Sequence, residues 1–213
     1  MARKQEQRSE ETKHSILQAA GQLFRERGYD AVTMREIAKA AGCSHTTIYI
    51  YFKDKEALLH QLSMAPLQDL FAEMQACLQD PSLPVDEKLF STSWSFLRFC
   101  LKNRSMYALF FMTKSSRVDE KEPAMELQKL RNEMFGLLKE AVIAALPAPL
   151  TEEQAWAFAR VYFFTLHGII GTYAETEEPY EQLIERVGPT FELALRVSLA
   201  GCKQIAQEGD GSK

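Results

Sequence analysis

Apolar residues recur at three- and four-residue spacing along most of this chain, the signature of helices with one buried face. Ile16, Leu17, Ala20, Leu23 and Phe24 form such a stripe and predict a helix from Ser9 to Arg27, ended by Gly28. Residues 1–8 are polar, carry Arg3, Lys4 and Arg8, and are expected to be disordered. Thr33 and Glu36 have the spacing of a capping box, and Met34, Ile37, Ala38 and Ala41 follow on one face. Gly42 falls where a left-handed residue stops a helix, and Ser44 is a good cap for the next one. Ile48 and Phe52, four apart, pin one side of that helix to a core. His45, Thr46, Thr47 and Tyr49 are left near its exposed amino-terminal end.

The pattern continues beyond this point. A fourth helix is expected from a cap at Asp54 to about Gln79, with Pro66 either kinking it or marking a loop between Ser63 and Leu67. Further helices are expected over 85–102, 105–114, 123–146, 151–173 (capped by Thr151) and 180–206. No stretch reads as a strand. The expectation is an all-α chain of about nine helices, with a three-helix head over residues 1–53 and a helical body over 54–213.

Two short helices across a tight, glycine-containing turn describe a helix-turn-helix, whose second helix enters the DNA major groove and meets base edges with its first residues. Charge agrees with this. Residues 1–60 hold ten Lys/Arg and eight Asp/Glu, or +2, within a chain of net charge −4. Phosphate attraction needs only local positive charge, so a basic head on an acidic body fits a duplex partner. The basic arm at residues 3–8 suits a phosphate backbone or minor groove, with a solvated tail as the alternative. Ser44, His45, Thr46 and Thr47 are candidates for bases or backbone, Tyr49 and Tyr51 for phosphates, and Thr33 and Arg35 are further candidates at the start of the preceding helix.

Other chemistry is thin. Cys43, Cys77, Cys100 and Cys202 are scattered and read as reduced thiols in a cytoplasm. No apolar run reaches the roughly 18 residues of a membrane span, and the amino terminus has no secretory signal. His14, His45, His60 and His167 lack metal-ligand spacing, and no nucleophile or phosphate-loop motif is present, so neither enzyme, metal nor cofactor is expected.

The run Thr47-Ile48-Tyr49-Ile50-Tyr51-Phe52-Lys53-Asp54-Lys55-Glu56-Ala57-Leu58-Leu59 closely resembles the recognition helix and following segment of the TetR family of bacterial regulators. Gly28-Tyr29, Thr33, Glu36-Ile37-Ala38 and Ala41-Gly42 also fall where that family has them, so the resemblance covers about residues 12–62. It implies a regulator, expected to be a repressor, that leaves its operator when a small effector binds the body. It also implies that Lys55 touches DNA phosphate. Lys55 lies at a helix start, where the dipole disfavours a cation unless an anionic partner is near. The same family forms dimers. The two long apolar helices at 151–174 and 180–206, with Gly168 and Gly171 allowing close approach, suit a four-helix bundle between two copies. Effector-site candidates are Trp94, Phe99, Tyr107, Phe111, Tyr162, Phe163 and His167, in a largely apolar pocket. The alternative is an architectural DNA-binding module with no effector.

Overall fold

The computed structural model describes residues 2–107, 126–147 and 149–210, without the side chains of residues 2–4, 105, 106, 209 and 210. Every element among them is a helix. They are α1 (Ala2–Arg27), α2 (Met34–Ala40), α3 (His45–Tyr51), α4 (Lys55–Gln79), α5 (Val85–Lys102), the single turn α6 (Arg104–Tyr107), α7 (Glu126–Ala145), α8 (Glu152–Tyr173) and α9 (Tyr180–Asp210). The fold is all-α, and no strand occurs among the described residues.

Two compact units arise, with Met1–Leu67 in the first and Gln68–Arg104 in the second. In the first unit α2 packs on α1 and on α3. Its core is Ile16, Ala20, Phe24, Val32, Ile37, Ala38, Ile48, Phe52 and Leu58, each at most 2% exposed. Leu17 and Leu23 lie at the edge of that stripe and are only half-buried. The two left-handed glycines make the chain reversals. Gly28 (φ 78°) ends α1 and Gly42 (φ 71°) separates α2 from α3, a conformation in which any Cβ is strained.

Near the ends of this unit one expectation is corrected and one choice is decided. Residues 2–8 are not a disordered arm but the first two turns of α1. They contain no glycine or proline and are rich in Arg, Lys, Gln and Glu, so nothing breaks the helix before Ser9. The side chains of Arg3 and Lys4 lie outside the described residues, and Arg8 is exposed. At Pro66 there is no loop: α4 continues through it. Asp54 caps α4 as expected, its Oδ1 accepting from the Ala57 N–H at 2.8 Å.

In the second unit α5 packs against α7, α8 and α9, and α8 against both α7 and α9. The helix limits expected at 85–102 and 151–173 agree with α5 and α8, and Thr151 closes a complete capping box with Gln154. Most of the segment expected as a helix over 105–114 lies outside the described residues, as do residues 123–125. One subsidiary core joins Leu101, Leu183 and Phe191, with Trp94, Tyr173 and Ile184 against it.

Candidate nucleic-acid interface and aromatic residues of the body

The geometry of α3 starts from its cap. Ser44 Oγ accepts from the Thr47 N–H at 3.0 Å and lies 2.9 Å and 2.7 Å from the hydroxyls of Thr46 and Thr47. Ser44 is therefore mainly the fastening of the helix. Ile48 is wholly buried beneath it. The opposite side, His45, Thr46, Tyr49 and Ile50, faces solvent, and Ile50 is 78% exposed. His45 and Tyr49 stack edge to face with ring centres 5.1 Å apart. An aromatic pair presented to water on a helix held rigidly from below is a surface prepared for contact. Tyr51 is turned further in, and its hydroxyl accepts from Ser9 Oγ at 3.2 Å. That hydrogen bond joins α3 to α1, a link with no signal in local spacing.

Thr33 and Arg35 stand at the start of α2, both exposed. The capping box is complete: Thr33 Oγ1 accepts from the Glu36 N–H, and the Thr33 N–H donates to Glu36 Oε2 at 2.9 Å. Arg27 reaches the same carboxylate at 2.8 Å and also donates to the Ala31 carbonyl. The Thr33 hydroxyl and backbone N–H, together with Arg27, hold Glu36 down to about 2, well below the ordinary carboxylate range. Arg35 is left facing solvent beside a cap already satisfied.

Lys55 is half-buried and engaged within the chain. Its Nζ donates to the Tyr29 carbonyl at 2.6 Å and the Val32 carbonyl at 2.9 Å, and lies 4.1 Å from the centre of the Tyr29 ring.

The effector candidates do not gather in one place. Phe163 and His167 do, with ring centres 4.0 Å apart, and Phe96 lies 5.6 Å from His167. Phe135 meets Phe163 edge to face at 5.3 Å and stacks on Trp156 at 5.8 Å. Burial, with a smaller push from the positive charge of Arg131, holds the His167 imidazole down to about 4. Arg131 is itself buried and donates to Gln128 Oε1 at 3.1 Å. Burial lowers its guanidinium to about 10, which leaves it charged at neutral pH.

Tyr162 is fully buried, accepting from Ser93 Oγ at 3.3 Å, and burial raises its phenol well above the usual value. Trp94 belongs to the α9-facing core around Phe191, and Phe99 is half-buried without a ring partner described. Tyr107 is buried, and Phe111 lies outside the described residues. Phe135, Gln128 and Arg131 were not foreseen. They line up on α7 at helical spacing with apolar residues, where a lone Arg or Gln carries no signal of its own.

Among the described residues no group of His, Cys, Asp or Glu is placed to hold a metal ion, and no helix is long and apolar enough to cross a membrane. All four cysteines are free thiols.

Comparison with known proteins follows the same division. Residues 16–62 match the model of bacterial regulatory proteins of the tetR family, and residues 89–197 match the tetracyclin repressor-like C-terminal domain. A 79-residue stretch is 42% identical to the HTH-type transcriptional regulator AcrR of Shigella flexneri, covering 36% of this chain and 37% of that protein. Over 130 residues the chain is 26% identical to the uncharacterized HTH-type transcriptional regulator YhgD of Bacillus subtilis, covering 61% of this chain and 66% of that one. The chain thus spans between about a third and two thirds of the length of these curated relatives. Among solved structures, the ketosteroid transcriptional regulator KstR2 of Mycobacterium tuberculosis superposes with a TM-score of 0.63 at 17% identity, covering 89% of this chain and 93% of that one. The fatty acid degradation regulator FadR of Bacillus halodurans gives 0.61 at 22% identity, covering 86% and 94%. These likenesses concern the fold.

Proposed function

The chain belongs to the TetR family of bacterial transcriptional regulators, and from that premise we propose that it is a cytoplasmic, homodimeric repressor released from a palindromic operator by a small, largely apolar effector. It is a DNA-binding regulator rather than an enzyme. The observation that carries the reading is the solvent-facing side of α3: His45, Thr46 and Tyr49 are exposed on a helix whose other side is locked by Ile48. In a helix-turn-helix these leading residues meet base edges. Thr46 offers a methyl and a hydroxyl, suited to thymine or to several bases. Tyr49 offers a phenol to phosphate, and Thr33 and Arg35 flank it with further donors. Thr47 and Tyr51, engaged within the head, serve chiefly to hold α3.

One head makes too few contacts for tight, specific binding, so a second copy is needed. The surface for it is a stripe on α8 and α9. Val161 and Phe164 are 49% and 64% exposed, Leu193 and Val197 60% and 61%. Gly168 and Gly171 continue the α8 stripe with open space above them. Large exposed apolar side chains on adjacent helices mark an interface, and a two-fold axis through them makes a four-helix bundle.

The effector site we assign is the aromatic group Phe96, Phe135, Trp156 and Phe163, with His167 and Arg131 as its polar end. Release then requires that effector and operator prefer different separations of the two heads. The alternative, an architectural module without an effector, has no observation in its favour beyond the scatter of the other candidates.

The test is fluorescence anisotropy with the duplex upstream of the protein's own gene. Saturable binding that weakens steeply with added salt is expected. A flat titration at low salt, on that duplex and on a pool of random ones, overturns the reading.

A further inference from the structure

We infer that Lys55 is a positioning residue: its ammonium fastens the loop between α1 and α2 to the start of α4, and so sets the head for the operator without touching it. This rests on the operator-binding reading above. Lysine at the first position of a helix lies in an unfavourable dipole field, and an anionic partner is the usual remedy. Here the partners are inside the chain. Two of three ammonium donors end on the carbonyls of Tyr29 and Val32, at 2.6 Å and 2.9 Å, and the Tyr29 ring covers the same nitrogen at 4.1 Å. Val32 is itself 1% exposed.

The surroundings point the same way. Burial, and then the carboxylates of Glu56, Asp54 and Asp30, raise the Tyr29 phenol above its ordinary value, so acidic groups stand near the ring that covers the ammonium. The captured carbonyl of Val32 directly precedes Thr33, the cap of α2. Arg27 holds the Ala31 carbonyl from the other side. The loop that aims α2, and through it α3, is thus fixed by Arg27 from α1 and by Lys55 from α4. A rotation at the start of α4 would be passed directly to that loop.

Two experiments separate this from a phosphate contact. In the first, the wild-type full chain is treated with an amine-reactive reagent, with and without its duplex, and modification is read by mass spectrometry. Lys55 is expected to react at least tenfold more slowly than the exposed Lys53 in the free protein already. Equal reactivity of the two in the free protein overturns the clamp. In the second, Lys55→Met is titrated with the duplex across a salt series, well below its melting temperature. A loss of about tenfold in affinity with an unchanged salt slope is expected, because no phosphate contact is removed. A slope flatter by about 0.9 shows a phosphate contact instead. Unchanged affinity with a lowered Tm shows a residue that only stabilises the fold. Either result overturns the proposal. Should Lys55→Met not fold, the labelling of the wild-type chain still decides the clamp. A wild-type chain that binds no duplex refutes the operator reading separately.

Discussion

His167 shows what burial does to a single group. Its Nε2 is shielded from solvent, between the Phe163 and Phe96 rings and near the positive charge of Arg131. With a folded pKa of about 4, below the ordinary histidine value, it is neutral at pH 7. The unfolded chain takes up a proton as pH falls through about 6.5, whereas the native state resists until about 4, so stability falls with falling pH across that window. At pH 5 the native state is expected to be weaker by about 2 kcal/mol from this residue than at pH 7. Urea unfolding at both pH values should show the difference shrink by about that amount in His167→Leu. An equal difference in both proteins would mean that His167 titrates normally. The sequence marked His167 as a lone histidine on an apolar helix. It did not reveal Arg131, because the two lie on different helices and only packing brings them together.

At the scale of elements, short helices depend on their caps. Both α2 and α3 are seven residues long, too short to persist by propensity alone. Ser44 satisfies the Thr47 N–H and organises two further hydroxyls at the start of α3. Ser44→Ala should cost about 1 kcal/mol of stability, and Ser44→Gly only a few tenths. Thermal denaturation measures both, with hydrogen exchange at residues 45–48 rising in Ser44→Ala. Caps of this kind were legible in the sequence, as were the helix limits of α5 and α8, because cap residues and apolar spacing are local signals. Residues 2–8 show the converse, and Pro66 a choice that local pattern leaves open. Polarity was taken for disorder at the first, although polar straight-chain residues are good helix formers. At the second, the pattern allows a kinked helix or a loop, and helix α4 runs on; Pro189 is carried inside α9 in the same way. The hydrogen bonds of Lys55 are a matter of scale as well: spacing within α4 does not show carbonyls 23 and 26 residues earlier.

The whole molecule is an all-α regulator of the TetR family. The body was legible as helices but not as a site. Trp94 and Tyr162 turn to the α9 side and the Ser93 hydroxyl, while Phe163 and His167 meet Phe135 of α7 or Phe96. Helical spacing gives the face of a residue, and neighbouring helices decide what that face meets. At this scale the apolar stripe of α8 and α9 makes a plain prediction. Phe164→Asp combined with Val197→Asp should convert a dimer of twice the 24.3 kDa chain into a monomer, read by light scattering at micromolar concentration. A double variant that stays dimeric would place the interface elsewhere. The measurement that bears most directly on the account is selection of bound duplexes from a random pool by the full chain. Two inverted half-sites are expected, their centres one helical turn or a multiple apart, because the proposed dimer relates two α3 helices by one two-fold axis. Enrichment of a single, unpaired half-site, or of no sequence at all, would contradict it.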